Sequence, residues 1–406
     1  MAGRTGFWHA SFFAIAAAGA APASALTIEL VDLGGVTRGT DAYNGFTAAA
    51  NFWRTMITTD VTIKIGVGYS QLPPNVLGST VSTTNSVYAD SVIAATAASK
   101  TSALDSIAKL PTLTASTSIH GRGAVSALIS GPKANGNGVN LSPLSRMYDK
   151  DGSVNNSVLS TNTSVMKALG MNPVYEPSNP AQLDDTISFS NAYRFDFDPT
   201  DAISRTSLDF IGIAIHEIGH ALGFRSGVDT YDRNTSFNGS LNNQVMMTPW
   251  DLWRYSANPR AIGVSGPVLD WVIGGTAANG YAPYFSIDGG KTVYNGDAYF
   301  STGVSNGDGW QASHWKDNRS GFSPIGIMDP SVAYGVMNAT TSLDLAAFDV
   351  MGWTMRHDVL ARPDLEFDSA YAYRISFVPE PETWALMIVG FAMAGSGLRR
   401  KRAAAA

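Results

Sequence analysis

The chain of 406 residues contains no cysteine. That excludes disulfide bonds, a thiol nucleophile and any latency device in which a thiolate blocks a metal. Charge is sparse as well: Asp, Glu, Lys and Arg make up 15% of the residues and the net charge is -6, which leaves no basic footprint for nucleic acid. Glutamate is missing from one long stretch, between Glu217 and Glu366. What the chain does have is apolar residues, 45% of the total, ample for a large core in one or two closely packed subdomains. Forty glycines, with many Asn, Ser and Thr, favour long loops and a β-rich surface over a helix bundle.

Helix periodicity and reactive side chains coincide at one place, Ile211 to Phe224. Leu208, Ile211, Ile215, Ile218 and Leu222 recur at three- and four-residue steps and predict a helix with a continuous apolar stripe. His216 and His220 lie off that stripe, four residues apart, so both imidazoles reach toward a single ion. Glu217 projects about 100° round the helix from His216, close enough to act on a water without itself being a ligand. Gly223 ends the helix, as a residue free to adopt a left-handed backbone does. The pattern H-E-x-x-H is that of a zinc peptidase, although two histidines on a helix surface can produce it without a metal.

A catalytic zinc takes three protein ligands and keeps a fourth position open. The absence of glutamate between Glu217 and Glu366 makes a downstream carboxylate of that type improbable as the third. Ser226 stands ten residues after His216, where a compact site would carry a histidine, and a neutral hydroxyl is a poor zinc ligand. Either Asp229 or Asp232 substitutes nearby, or an imidazole comes from farther along, where His314 and His357 are the two that remain. His120 reads as a satisfied loop or strand histidine, and His9 falls in the leader segment described below. Asp196, Asp198 and Asp201 are close enough in sequence to offer oxygens to calcium, against the simpler reading of a polar loop that caps the next helix.

His216-Glu-Ile-Gly-His220-Ala-Leu-Gly223-Phe224, a long insertion over 225–313, then Ser313-His314-Trp315 and Gly326-Ile-Met328-Asp-Pro resemble the metzincin clan of zinc peptidases, in particular its leishmanolysin-like branch. The resemblance implies His216, His220 and His314 as zinc ligands, Glu217 as general base and Met328 as the turn methionine beneath the metal. It also implies an α+β fold in which an N-terminal twisted sheet with helices lies over a loop-rich C-terminal subdomain, the active-site cleft running between them. The order of a strand at Thr27, a helix over Ala42 to Met56 and a strand from Val61 agrees with such a sheet. The alternating run Asp185 to Asp198 resembles the edge strand to which a peptide substrate adds. A helix from Ser342, with Ser342 as its N-cap and Gly352 as its stop, resembles the family's C-terminal helix. Tyr334 stands six positions after Met328, not the two at which some metzincins place a tyrosine that assists the oxyanion.

The ends of the chain carry targeting patterns. Arg4, an apolar run from Phe12 to Ala21 and Ala23-Ser24-Ala25 read as an export signal over 1–25. Val378-Pro-Glu-Pro, an apolar run to Leu398 and the basic cluster Arg399 to Arg402 resemble the PEP-CTERM sorting signal of Gram-negative bacteria, whose tail an exosortase handles. Read simply as a membrane anchor, the same segment gives the same topology, with the catalytic region facing outward. The expected organisation is a signal at 1–25, an N-terminal catalytic subdomain at 26–223, a C-terminal one at 224–356 holding the insertion, a linker at 357–378 and the sorting segment at 379–402. The expected function is an exported zinc endopeptidase at the cell surface or in the matrix, acting on protein or peptide. The rival expectation is a surface or matrix structural protein whose metal site is vestigial.

Overall fold

The computed structural model describes residues 26–132, 141–233, 241–257, 264–274, 282–317, 325–376, 387–388 and 390–394. The export signal, the Asn-Gly-Asn-Gly loop at 135–138 and most of the sorting segment lie outside them. Among the described residues no helix is long and apolar enough to cross a membrane.

The elements that position the site are, in chain order, β1 (Thr27–Gly34), α1 (Asp41–Met56), β2 (Thr62–Ser70), β3 (Gly78–Ser82), β4 (Ala127–Pro132), β5 (Leu141–Asp149), β6 (Asp185–Ser190), α2 (Phe210–Ala221), β7 (Arg254–Ser256), β8 (Val268–Trp271), β9 (Tyr284–Phe285), α3 (Ser342–Val350) and α4 (Ser369–Ser376). The fold is mixed α+β, the class expected from the motifs. One sheet has the order β1-β2-β6-β3, with β1, β2 and β6 parallel and β3 antiparallel to β6. A second, five-stranded sheet has the order β9-β7-β8-β4-β5 and so draws strands from both sides of the α2 helix in sequence.

Alternation builds β2: Ile63, Ile65 and Val67 are fully buried on one face. Across that face lies α1, begun by the Thr40 hydroxyl accepting from the Tyr43 N–H at 3.2 Å and completed by Arg54 in its last turn. Phe46 of α1 meets Phe189 of β6 at 5.0 Å and Phe210 of α2 at 5.2 Å, both edge to face. Gly45 lets the two helices close up, since a Cβ there would lie 2.4 Å from the Phe210 ring. The indole of Trp53 donates to the Ile215 carbonyl at 3.0 Å. Sheet, α1 and α2 are thereby locked into one packed unit.

The edge of the first sheet is not where the sequence put it. The run from Asp185 forms β6, an interior strand flanked by β2 and β3, and the edge is the short polar strand β3. Alternation marks a pleated strand with one buried face but is blind to whether a neighbour pairs on both sides. At the ends of β3, Leu77 O accepts from Ser190 N–H and Thr83 N–H donates to Asp184 O. By the alternation of antiparallel pairing, Gly78, Thr80 and Ser82 therefore turn their main-chain groups toward the open edge.

The insertion packs. Trp250, Trp253 and Trp271 are fully buried, and Phe224, just after α2, packs tilted against Trp250 at 4.7 Å and edge to face on Trp315 at 4.9 Å. Helix α3 begins one residue earlier than the sequence implied: Thr341, not Ser342, is its N-cap, in a capping box with Asp344.

Candidate metal centre

Helix α2 starts at Asp209, whose carboxylate accepts from Gly212 N–H at 2.9 Å and from Asn338 N–H at 2.9 Å. An anion at that end also complements the helix dipole. Ile211, Ile215, Ile218 and Leu222 are buried, as their spacing predicts. The last carbonyls are not left bare: Ser164 donates its hydroxyl to Ala221 O at 2.5 Å and Trp353 its indole N–H to Leu222 O at 2.8 Å. Gly223 then turns the chain at φ +114, where a Cβ would also lie 2.4 Å from Val165.

Three imidazoles meet at this helix, those of His216 and His220 half-buried and that of His314 buried. The Nε2 atoms of His216 and His220 are 3.0 Å apart, and each is 3.2 Å from Nε2 of His314. Their other ring nitrogens face main-chain carbonyls: His216 Nδ1 lies 2.7 Å from Ile327 O, His220 Nδ1 2.7 Å from Phe224 O and His314 Nδ1 3.2 Å from Gln311 O. A carbonyl only accepts, so each Nδ1 carries the proton and each Nε2 presents a lone pair. Three lone pairs then converge with no hydrogen between them, a repulsive arrangement that a cation relieves. For zinc bonded at about 2.0–2.1 Å to three tetrahedral positions, adjacent nitrogens sit about 3.3–3.4 Å apart, close to the spacing seen here. Burial holds the rings neutral, lowering His216 to about 4 and His220, with His216 beside it, to about 3, and putting His314 well below its ordinary value. Neutral imidazole is the form that binds metal.

His314 arrives on a loop fixed by carboxylates. Asp229, one of the alternative third ligands, accepts from the N–H groups of Ala312 at 2.6 Å and Ser313 at 3.0 Å and from the Ser313 hydroxyl. Asp232, the other, accepts from the N–H groups of Ser305 at 2.8 Å and Asn306 at 2.9 Å. Neither joins the metal group; both are spent on holding the insertion. Asp344 does the same on the far side, accepting from Trp315 Nε1 at 2.9 Å, Ile327 N–H at 2.8 Å and Thr341 N–H at 2.8 Å. Ser226 donates its hydroxyl to Asp251 at 2.5 Å, and its own N–H reaches Ser313 Oγ at 2.9 Å. Met328 is fully buried under α2, and a Cβ on Gly219 would lie 2.6 Å from its sulfur.

Glu217 is buried between the helix and β3. The Thr80 hydroxyl reaches its Oε2 at 2.7 Å and its main-chain oxygen at 2.9 Å, while Gly78 leaves room for Oε1, to which a Cβ would come within 2.5 Å. Burial pushes the carboxyl up to about 7, with the Thr80 hydroxyl opposing.

The remaining candidates stand apart. Among the described residues, His216, His220 and His314 are the one group of three or more His, Asp or Glu side chains close enough together to hold an ion. The calcium reading of Asp196, Asp198 and Asp201 gains no support: Asp196 accepts from the N–H groups of Asp198 and Ser204, and Asp198 accepts from Thr200, so these carboxylates organise a turn. His120 and Tyr334 are exposed, and His357 packs on Phe367 at 5.5 Å. Sequence reasoning missed Thr80, Gly78, Gly219 and Asp344. The glycine between the two helix histidines was the one visible signal, a residue of poor helix propensity inside a predicted helix. Compared with protein-family models, with curated proteins and with solved structures, the chain matches none.

Proposed function

We propose that the protein is an exported zinc endopeptidase of metzincin type. The observation that carries this reading is the convergence of three Nε2 lone pairs within 3.0–3.2 Å of one another, on a helix that also carries the buried carboxylate of Glu217. Zinc held by His216, His220 and His314 would supply Lewis acidity, polarising a carbonyl and making water more acidic. Glu217 takes the proton of the attacking water and passes it to the leaving amine. A structural zinc site has no use for such a base.

The surroundings favour an extended peptide as substrate. The open edge of β3 offers the main-chain groups of Gly78, Thr80 and Ser82 directly above Glu217, so a peptide adding as a further strand passes over the base. An antiparallel edge strand over the metal helix, and a buried methionine turn beneath it, support the resemblance to metzincins stated from the motifs. Export by the segment 1–25 and sorting through 379–402 by an exosortase-type enzyme complete the proposal. The test is hydrolysis of casein by the purified full-length protein. Loss of activity on chelation and its return with zinc are expected; hydrolysis that survives complete chelation, or none with one zinc bound, would overturn the reading in favour of a non-metal enzyme or a surface protein with a vestigial site.

A further inference from the structure

The geometry points to Thr80, on the edge strand, as the positioning residue for the carboxylate of Glu217. This rests on Glu217 acting as the base. Two observations carry it independently. The Thr80 hydroxyl lies within hydrogen-bond reach of both Oε2 and the main-chain oxygen of the same residue, at 2.7 and 2.9 Å. It therefore stands against Glu217 at both the root and the tip of its side chain. Gly78, two residues earlier on the same face of the strand, has no side chain where Oε1 lies; a Cβ would stand 2.5 Å from that oxygen and 2.8 Å from the carboxyl carbon. The strand thus binds one oxygen and makes room for the other.

The consequence is a division of labour within the carboxylate. A hydroxyl carries one proton, and an ionised oxygen is the stronger acceptor, so Oε2 is occupied by Thr80 whenever Glu217 is charged. Oε1 is then the oxygen that handles the proton of water. Three torsions separate a glutamate carboxylate from its backbone, and fixing them beforehand removes an entropy cost from the reaction. The strand that pairs with substrate and the strand that aims the base are one and the same, so a peptide seated on that edge meets Glu217 already oriented.

The experiment compares Thr80→Val, which keeps the shape and removes the hydroxyl, with Thr80→Ser, which keeps the hydroxyl, and with Glu217→Gln. Thr80→Val should lower kcat by about 10- to 100-fold, a part of the 10²–10⁴ that general-base catalysis contributes, at unchanged KM and one zinc per chain. Thr80→Ser should recover kcat to within a few-fold. An infrared difference spectrum with labelled glutamate, taken against Glu217→Gln, should show the Glu217 carboxylate stretch moved in Thr80→Val and not in Thr80→Ser. Wild-type kcat in Thr80→Val, or equal losses in both Thr80 variants, would overturn the assignment. So would a Thr80→Val protein that loses its zinc, because the bond would then hold the helix and not the carboxylate. If Glu217→Gln is itself fully active, the base reading fails; if it is inactive while Thr80→Val is normal, only the role of Thr80 falls.

Discussion

The carboxylate of Asp229 accepts both the backbone N–H, at 3.0 Å, and the hydroxyl of Ser313, the residue immediately before His314. The third imidazole of the metal group is thus held by an acid 85 residues upstream, on the chain that leaves α2.

Asp229→Ala leaves that loop end without its acceptor, and three buried donors without a partner. Supporting contacts of this kind are worth about 10- to 100-fold in metal affinity. The variant should bind zinc that much more weakly while His216 and His220 still bind, whereas His314→Ala should lose zinc altogether. A competition titration against a zinc-sensitive chelating dye separates the two outcomes. Wild-type affinity in Asp229→Ala would show that the loop keeps its place unaided.

Gly219 is a position where helix propensity and packing give opposite signs. Propensity alone makes alanine better than glycine by about 1 kcal/mol in a helix interior. Packing opposes this, because a Cβ at 219 would come within 2.6 Å of the Met328 sulfur, and overfilling a core costs about 1–3 kcal/mol. Gly219→Ala should therefore destabilise the protein in denaturant melts, and the same substitution should cost less in a Met328→Ala background, where the sulfur is gone, than in the wild type. A stabilised single variant would mean that Met328 moves aside freely.

Asp349 gives the stability a pH dependence of definite sign. Its carboxyl is buried, with Asp105 and Asp358 adding to the effect and the Ser102 hydroxyl opposing, and is pushed up to about 7. In the unfolded chain an aspartate titrates near ~3.9, so the folded state binds the proton more tightly. The stabilisation is complete below the unfolded value and is lost as pH rises through about 7. Unfolding free energy should fall between pH 5 and pH 8, and less steeply in Asp349→Asn, which keeps an acceptor for Ser102 without the charge. Parallel slopes for the two proteins in that window would contradict this.

How much of this was legible in the sequence follows from the range of each interaction. His216, Glu217 and His220 could be placed because four residues on a helix fix geometry locally. His314 could not be placed by spacing, since it meets His220 across 94 residues of chain. Its choice over Asp229 and Asp232 came from a motif resemblance, and the coordinates bring it to the other two rings. Those aspartates stood as alternatives because a carboxylate near a metal motif looks alike whether it binds a cation or a distant loop's N–H groups. The strand at Asp185 read as an edge by resemblance, and alternation could not correct it, since it reports one buried face and nothing about neighbours. Thr80 was invisible for the same reason as Asp229: its partner lies 137 residues away.

The central claim is that three imidazoles, and no carboxylate, hold one zinc ion. X-ray absorption at the zinc edge, on the full-length protein and on His314→Ala loaded with one equivalent, tests it most directly. The expected spectrum has three nitrogen scatterers at about 2.0–2.1 Å with imidazole outer-shell features, replaced in the variant by the spectrum of unbound metal. A wild-type spectrum with two imidazoles and a carboxylate oxygen, or one unchanged by His314→Ala, would contradict the account.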